Sequence, residues 1–517
     1  MLLLVIFISL LVSLATCRFA TPNVFGGRDQ GSIATAAIYL SENHQLTVDL
    51  PVAHDLFQKY GPGKALNFPG FDYQKDGTLV SRFPVGYTSY LAAYYDLFGL
   101  KGLQYANLLP LFLFLVVFWL ILDQFFDASV SFFGFLLAAS FFPFLWFAKF
   151  SLTETYMLFL VWTGIYFMIR WQQQLGNLVS KSSLFFALAF FALSSLVRIE
   201  GIVFFFLALS YIFLLERKEI IKISINIKKY LLISTIFLLI IYFYLNFPDL
   251  LDSGKNLVKA FLPGSGKESA PSASLYGYIF RVFFNYNLLA YLILGLAGIF
   301  WLGFRYKKNW TKPEFLPIFI TWPLFFYLLS PMISLDDPWM LRRFVFAVFP
   351  ALLIYSIWAL RKFFYHKIFL YLVLIILLAA NMVVSRRFID LSENQALLEQ
   401  TKNISNRFSD NDLVLVDRLA TGSGYSLLSE PLRTLYGKNA VYFFNAEDLK
   451  YLDESRYEHI HLIAPFSEEK TWYSDLIKDK KFEFNLVVNN FIEPAEQKWA
   501  LAQNVESKDF FGIWTLK

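Results

Sequence analysis

Long apolar runs alternate with short polar breaks along most of the chain. Residues 1–17 carry no charged side chain, and further apolar runs occupy 102–122, 128–148, 156–169, 184–215, 229–247, 288–304, 315–331, 344–360 and 368–385. Runs of about 18 residues or more are long enough to cross a bilayer as helices. The pattern predicts a mainly α, polytopic transmembrane bundle. The run 184–215 is too long for one span and has Arg198-Ile199-Glu200-Gly201 at its middle. A charge at the bilayer centre costs at least about 2.5–3.5 kcal/mol, so this run is read as two short spans meeting at an outer turn. Residues 84–98 (PVGYTSYLAAYYDLF) are apolar but short and rich in Tyr. They predict a juxtamembrane helix lying in the interface, where Tyr is favoured. Counted this way the bundle has about eleven spans.

After Arg386 the pattern changes. Residues 386–517 are charged and mixed, with strand-like runs at 412–417, 440–445, 459–464 and 482–489 and a helical pattern at 391–406. Such alternation predicts a small α/β domain. The chain therefore divides into a transmembrane module, 1–385, with a first loop at 18–101, and a C-terminal domain, 386–517. Gly422-Ser423-Gly424 lacks the full dinucleotide fingerprint and reads as a plain turn.

Composition agrees with the hydrophobic pattern. The 517 residues are 57% hydrophobic and 16% charged, against roughly 25% charged in soluble domains. The single cysteine, Cys17, excludes a disulfide framework and a cysteine metal cluster. Residues 1–17, ending in Leu14-Ala15-Thr16-Cys17, also fit a signal peptide, even a lipoprotein one, but they lack its basic start and read rather as an uncleaved helix. Loop charge sets orientation, because Lys and Arg concentrate on the cytoplasmic side. With the amino end inside, fourteen basic residues fall in the inner loops, against seven in the short outer loops after the first, at Lys149, Arg198, Lys255, Lys259, Lys267, Arg342 and Arg343. The expected location is the cell membrane, with the first loop and C-terminal domain extracytoplasmic. The net charge of +5 is accounted for by the inner loops and calls for no nucleic-acid partner.

The candidate chemistry gathers on the outer face. Asp29 follows the first helix, and Lys149 and Glu154 share the next outer turn. Arg198 and Glu200 mark the following one, and Asp336, Asp337, Arg342 and Arg343 precede a late span. His54, Arg82 and Tyr87 lie in the first loop. A guanidinium fork matches phosphate oxygens, and a carboxylate can take a proton from an attacking hydroxyl. Together they suit displacement at a sugar anomeric carbon with a phosphate leaving group. Singly, each residue also fits an anchor at a helix end, and Asp29 before Gly31-Ser32 also fits a helix cap.

In order and sidedness these motifs resemble the GT-C superfamily of membrane glycosyltransferases, in particular its protein O-mannosyltransferase and aminoarabinose transferase-like branch. Arg28-Asp29-Gln30-Gly31 resembles the acidic motif that opens the family's first outer loop. Phe83-Pro84-Val85-Gly86-Tyr87 resembles its juxtamembrane helix, Lys149…Glu154 its next acidic turn, Arg198-Ile199-Glu200-Gly201 its Arg-x-Glu/Gln-Gly turn, and Arg343-Phe344…Phe349-Pro350 its late Arg-aromatic…Pro. Gln30 departs from the usual second acid, which weakens any paired-carboxylate mechanism there.

The resemblance implies a polyprenyl- or dolichyl-phosphate-linked sugar donor, inverting hexosyl transfer of mannosyltransferase type, and an acceptor that stays open. Asp29 would be the general base. Glu154 would orient the acceptor or a divalent metal, the one cofactor left open. Lys149, Arg198 and Arg343 would hold the phosphate, and Arg82, Tyr87 and His54 would serve the acceptor side. Partners would be the lipid-linked donor and membrane lipid. A transporter or flippase is the rival class, although no inverted repeat is visible and the acids sit on one face. A non-catalytic scaffold with the same fold is the third reading, favoured by Gln30.

Overall fold

A computed structural model describes residues 1–25, 29–175, 178–222, 225, 228–229, 231–244, 273–306, 310–329, 338–420, 427–465, 479–491 and 500–516. Helix α1 (Leu2–Cys17) leads into the first loop. That loop contains α2 (Asp29–Asn43), β1 (Thr47–Val48), α3 (Pro51–Tyr60), β2 (Gly63–Lys64), β3 (Phe71–Tyr73), β4 (Leu79–Ser81) and α4 (Val85–Phe98). The bundle continues with α5 (Leu100–Tyr105), α6 (Leu108–Phe125), α7 (Ala128–Ala139), α8 (Phe142–Ala148), α9 (Thr153–Gln173), α10 (Leu178–Val197) and α11 (Ile199–Arg217). It closes with α12 (Leu231–Tyr244), α13 (Ala273–Asn285), α14 (Leu289–Arg305), α15 (Leu316–Thr321), α16 (Val348–Phe363) and α17 (Lys367–Arg386).

Among the described residues, three helical segments are long and apolar enough to cross a membrane: Leu100–Phe125, Ile199–Arg217 and Lys367–Arg386. The α13–α14 pair, bent by 102°, makes a fourth if counted as one span. The expected span 128–148 is broken into α7 and α8. Ser140 turns its hydroxyl back to the carbonyls of Leu136 and Leu137, and Pro143 cannot donate to a continuous ladder. Helix α17 fills the break: Asn381 donates to the Leu137 carbonyl at 3.2 Å and Ser385 to that of Ser140 at 2.7 Å. Backbone carbonyls freed within a membrane must find such partners.

The expected break inside 184–215 is present. Helix α10 ends at Val197, Arg198 is extended (φ −149°, ψ 151°), and α11 begins at Ile199. The two helices pack against each other so closely that a Cβ on Gly201 would lie 2.2 Å from the Ser194 carbonyl. The helix expected at 84–98 is α4. Its Gly86 meets the end of α10, where a Cβ would lie 2.6 Å from the Leu196 oxygen. Both contacts fix the turn that presents Arg198.

The C-terminal domain contains α18 (Leu397–Ser405), β5 (Leu413–Asp417), α19 (Ser429–Thr434), β6 (Asn439–Phe443), β7 (Ile460–Pro465), β8 (Asp479–Phe491) and β9 (Asn504–Thr515). Its sheet runs β6-β5-β7-β9-β8; β5 is parallel to β6 and β7, and β9 is antiparallel to β7 and β8. Strands of a sheet covered on both faces are apolar throughout, and β5 and β7 are buried at every position. Leu413, Leu415, Val441, Phe443, Ile460 and Leu462 share a core with Val52, Leu56, Phe68 and Phe71 of the first loop. The alternate positions Val414, Val416, Ala440 and Ile463 join Leu397, Leu432 and the core of the bundle, as the two-residue period requires. The first loop has its own antiparallel sheet, β1-β4-β3-β2. It is tied to the C-terminal domain by Lys59–Asp448 at 2.6 Å, Arg456–Asp55 at 3.1 Å and Asn67 donating to the Tyr442 carbonyl at 2.9 Å. The loop and the distant C-terminal domain thus form one layer over the bundle's end. Gly422-Ser423-Gly424 and most of 248–275 lie outside the described residues.

Candidate functional site

Four chain segments meet beneath that layer. Asp29 opens α2, Glu154 and Glu200 stand in the first turns of α9 and α11, and Arg198 precedes α11. Arg342 and Arg343 lie on a 3₁₀ turn, Trp339–Phe344, just before α16. Acids in a helix's first turn are favoured by its dipole, so three helix starts place three carboxylates at one level.

The arginines lie between these acids. Glu154 is fully buried, and its Oε1 accepts from Arg198 Nη1 at 2.6 Å and Arg342 Nε at 2.5 Å. Arg342 also donates through Nη1 to Asp29 Oδ2. Arg198 holds Glu200 with a fork, Nη2 to Oε1 at 3.1 Å and Nε to Oε2 at 3.2 Å, and donates to the Thr153 hydroxyl at 2.8 Å. Glu200 Oε1 further accepts from Arg343 at 3.2 Å and Tyr327 at 3.3 Å. The Arg198 guanidinium lies 5.0 Å from the centre of the Phe346 ring.

A cavity of about 280 Å³ opens beside this network. Asp29, Arg82, Arg198, Glu200, Arg342 and Arg343 line it, with Tyr242 of α12 at its side. Of its four arginines, Arg198, Arg342 and Arg343 are held by the acids just described, and Arg82 pairs with Asp72 at 3.3 Å. The Asp29 side chain is 45% exposed. Partial burial pushes its carboxyl up, but the charge and hydrogen bond of Arg342, helped by Arg198 and Arg343, outweigh that and hold it below the usual carboxylate range. It is a carboxylate at neutral pH.

The structure therefore brings Asp29, Glu154, Arg198, Arg343 and Arg82 to one place. It puts three other expected residues elsewhere. Lys149 is buried and donates to the carbonyls of Phe388 at 2.5 Å, Ile389 at 2.6 Å and Leu391 at 2.9 Å. It fastens the start of the C-terminal domain to the bundle. Tyr87 is buried with its hydroxyl 3.0 Å from Asn107 Oδ1. His54 pairs with exposed Asp49 at 2.7 Å, and neither residue lines the cavity. Two central residues, Arg342 and Glu200, were visible in the sequence only as polar members of outer turns. Arg28, Asp336 and Asp337 lie outside the described residues.

A divalent cation at Glu154 does not fit the described donors. Glu154 Oε2 has no hydrogen-bond partner among them, but Arg198 and Arg342 already hold Oε1, and Asp29 and Glu200 are paired as well. A cation entering there would meet as many positive charges as negative ones.

No protein-family model matches the chain, and no curated protein matches it. Solved structures do. ArnT from Cupriavidus metallidurans bound to undecaprenyl phosphate superposes with a TM-score of 0.58 at 11% identity, covering 100% of this chain and 98% of that one. The Archaeoglobus fulgidus oligosaccharyltransferase in complex with Zn and sulfate gives 0.51 at 12% identity, covering 89% and 67%. The archaeal oligosaccharyltransferase AglB from Archaeoglobus fulgidus, with an inhibitory peptide and a dolichol-phosphate, gives 0.52 at 10% identity, covering 98% and 74%.

The chain has the GT-C fold. At these identities the likeness is one of fold. In this chain the cavity sits where the first loop, the starts of α2 and α11 and the late 3₁₀ turn converge.

Proposed function

We propose that the protein is a membrane glycosyltransferase that moves a hexosyl group from a polyprenyl- or dolichyl-phosphate donor to an extracytoplasmic acceptor, with inversion. One observation carries the proposal: a single cavity pairs four arginines with a half-exposed carboxylate, Asp29. Arginines match phosphate oxygens with forks of parallel hydrogen bonds. Carboxylates hold these guanidiniums in place before substrate arrives, so a phosphate would meet donors already aimed at it.

In the reaction the acceptor oxygen attacks the anomeric carbon while the bond from that carbon to the phosphate oxygen breaks. The leaving phosphate takes the electron pair, and Asp29 takes the acceptor's proton. Arg198, Arg342 and Arg343 stabilise the charge that grows on the phosphate; one such donor is typically worth about 10²–10³ in rate. Glu154, behind the cavity wall, orients Arg198 and Arg342.

The lipid half of the donor has a place to lie. An apolar groove of about 680 Å³ runs between α10 and α12, lined by Leu184, Leu188, Ala192, Phe205, Leu231 and Leu238. Helix α12 borders both spaces through Leu238 and Tyr242. Similarity of fold to structures holding undecaprenyl phosphate and dolichol-phosphate supports the same reading. We place the protein in the cell membrane with about eleven spans, its amino end cytoplasmic and the cavity outside, on the loop-charge argument.

The test is transfer from a synthetic polyprenyl-phosphate sugar by purified protein. Release of polyprenyl phosphate by the wild type and its loss in Asp29→Asn are expected. Equal release by both would remove Asp29 from the chemistry.

A further inference from the structure

The C-terminal domain contains a second group of convergent polar side chains, on the far side of the sheet from the first loop. Asp412 immediately precedes β5, and His459 immediately precedes β7. The parallel register Leu413–Ile460 and Val414–His461 places Asp412 level with His459. His459 and His461 are two residues apart, so they project from the same face. That face is opposite to the one carrying Leu413, Leu415, Ile460 and Leu462, which pack on the first loop. Their ring centres lie 5.8 Å apart at 28°.

The ligand atoms face one another. His459 Nδ1 is 3.1 Å from Asp412 Oδ1, and His461 Nε2 is 3.3 Å from Asp412 Oδ2. One ligand atom from each of the three residues falls within 4.8 Å of the others. Around a tetrahedral ion with ligands at about 2.0–2.2 Å, ligand atoms stand at about such separations. A second layer holds the ligands: the Ser409 N–H donates to Asp412 Oδ2 at 2.7 Å, and the Thr515 hydroxyl lies 3.2 Å from His461 Nδ1. A partner on the far ring nitrogen orients metal-binding histidines in this way. Phe408 packs on the His461 ring at 5.2 Å and shields one side.

We propose that Asp412, His459 and His461 bind a zinc-class divalent ion. Two imidazoles and one carboxylate suit a borderline ion such as zinc better than magnesium or calcium, which prefer all-oxygen shells. Asp412 and His461 are buried while His459 is 45% exposed, so the fourth position opens to solvent. The ion would clamp the starts of β5 and β7, with Thr515 at the end of β9 bearing on one of its ligands. This site is remote in the sequence from the arginine-lined cavity and does not depend on the function proposed for it.

The experiment uses the full chain in detergent, stripped with EDTA and desalted. Zinc chloride is added, unbound metal is removed, and retained zinc is measured by mass spectrometry beside the thermal unfolding midpoint. The wild type should retain one zinc more per chain than His459→Ala or Asp412→Asn, and zinc should raise its midpoint but not theirs. Asp29→Asn should retain as much as the wild type. His459 is exposed and Asn replaces Asp without change of shape, so both variants should elute as folded protein before zinc is added. Equal zinc in the wild type and in folded His459→Ala would overturn the proposal. So would zinc that is lost in Asp29→Asn but kept in His459→Ala, or retention of magnesium in preference to zinc.

Discussion

Arg342 donates through Nη1 to Asp29, a residue 313 positions earlier, and so joins the first loop to the turn before α16. The same guanidinium serves Glu154 through Nε at 2.5 Å. One side chain therefore aims the proposed base and neutralises a buried acid. Removing one partner of a buried ion pair typically costs about 3–5 kcal/mol. Arg198 remains on the same Glu154 oxygen, so we expect Arg342→Ala to fall near the lower end, read as a drop in Tm. Turnover should fall by about 10²-fold or more. Arg342→Lys keeps the charge but cannot reach both acids with a planar fork, and it should recover Tm better than rate. Equal recovery of both would count against a role in aiming Asp29.

Arg343 should behave differently. Its side chain is 34% exposed and touches Glu200 at 3.2 Å and the face of Tyr327 at 5.6 Å. Glu200 is buried, but Arg198 keeps its fork on it when Arg343 is removed, so Arg343→Ala should lower Tm less than Arg342→Ala does. A lost hydrogen bond to a charged phosphate is worth about 1.5–3 kcal/mol, roughly 10- to 100-fold in affinity. We expect weaker binding of polyprenyl phosphate, measured by calorimetry, with little change for the corresponding uncharged polyprenol. A parallel loss for both lipids would mean that Arg343 does not contact phosphate.

The pH dependence follows from the depressed Asp29 titration. A carboxyl whose folded pKa lies below its unfolded value contributes stability that is present above the unfolded value, near 3.8, and lost as pH falls through the folded one. The base is required ionised, so the wild-type rate should show no Asp29 limb between pH 5 and 8. Arg342→Gln removes the leading cause of the depression and leaves the opposing effect of burial. Its residual rate should therefore decline on the acid side at a higher pH than in the wild type. An unchanged acid limb in Arg342→Gln would show that Arg342 does not set the protonation of Asp29.

The sequence made some of this legible, and the reasons are physical. Apolar runs announce helices, so α9, α14, α16 and α17 lie close to where hydropathy put them. β5, β6, β7 and β8 coincide with the four apolar strand-like runs, but β9 (NVESKDFFGIWT) starts polar and was passed over. The first-loop strands, two or three residues each, are too short for any period to show. The break at Ser140 was masked because Phe141 and Phe142 continue the apolar run across it. At the site, acids at helix starts were findable from their positions. Which of two adjacent arginines reaches them was not, because a 3₁₀ turn has three residues per turn and sends neighbours about 120° apart. Arg342 faces Asp29 and Glu154 while Arg343 faces Glu200.

Lys149 shows the opposite case, a cation at an outer turn that the phosphate argument would claim. Its ammonium instead ends among the carbonyls of Phe388, Ile389 and Leu391, about 240 residues onward. Those carbonyls follow α17, where the chain leaves the bundle for the C-terminal domain. The ammonium has no carboxylate within salt-bridge distance among the described residues; three backbone carbonyls hold it, with the Trp146 ring 5.6 Å away. Lys149→Met keeps length and burial but loses all three bonds, each typically worth about 1.5–3 kcal/mol for a charged donor. We expect a markedly lower Tm and faster proteolysis near residues 386–396, where the domain is fastened. The KM for the lipid-phosphate donor should stay within about 2- to 3-fold of wild type in the folded fraction, since Lys149 does not line the cavity. A large rise in that KM with an unchanged Tm would return Lys149 to the phosphate site.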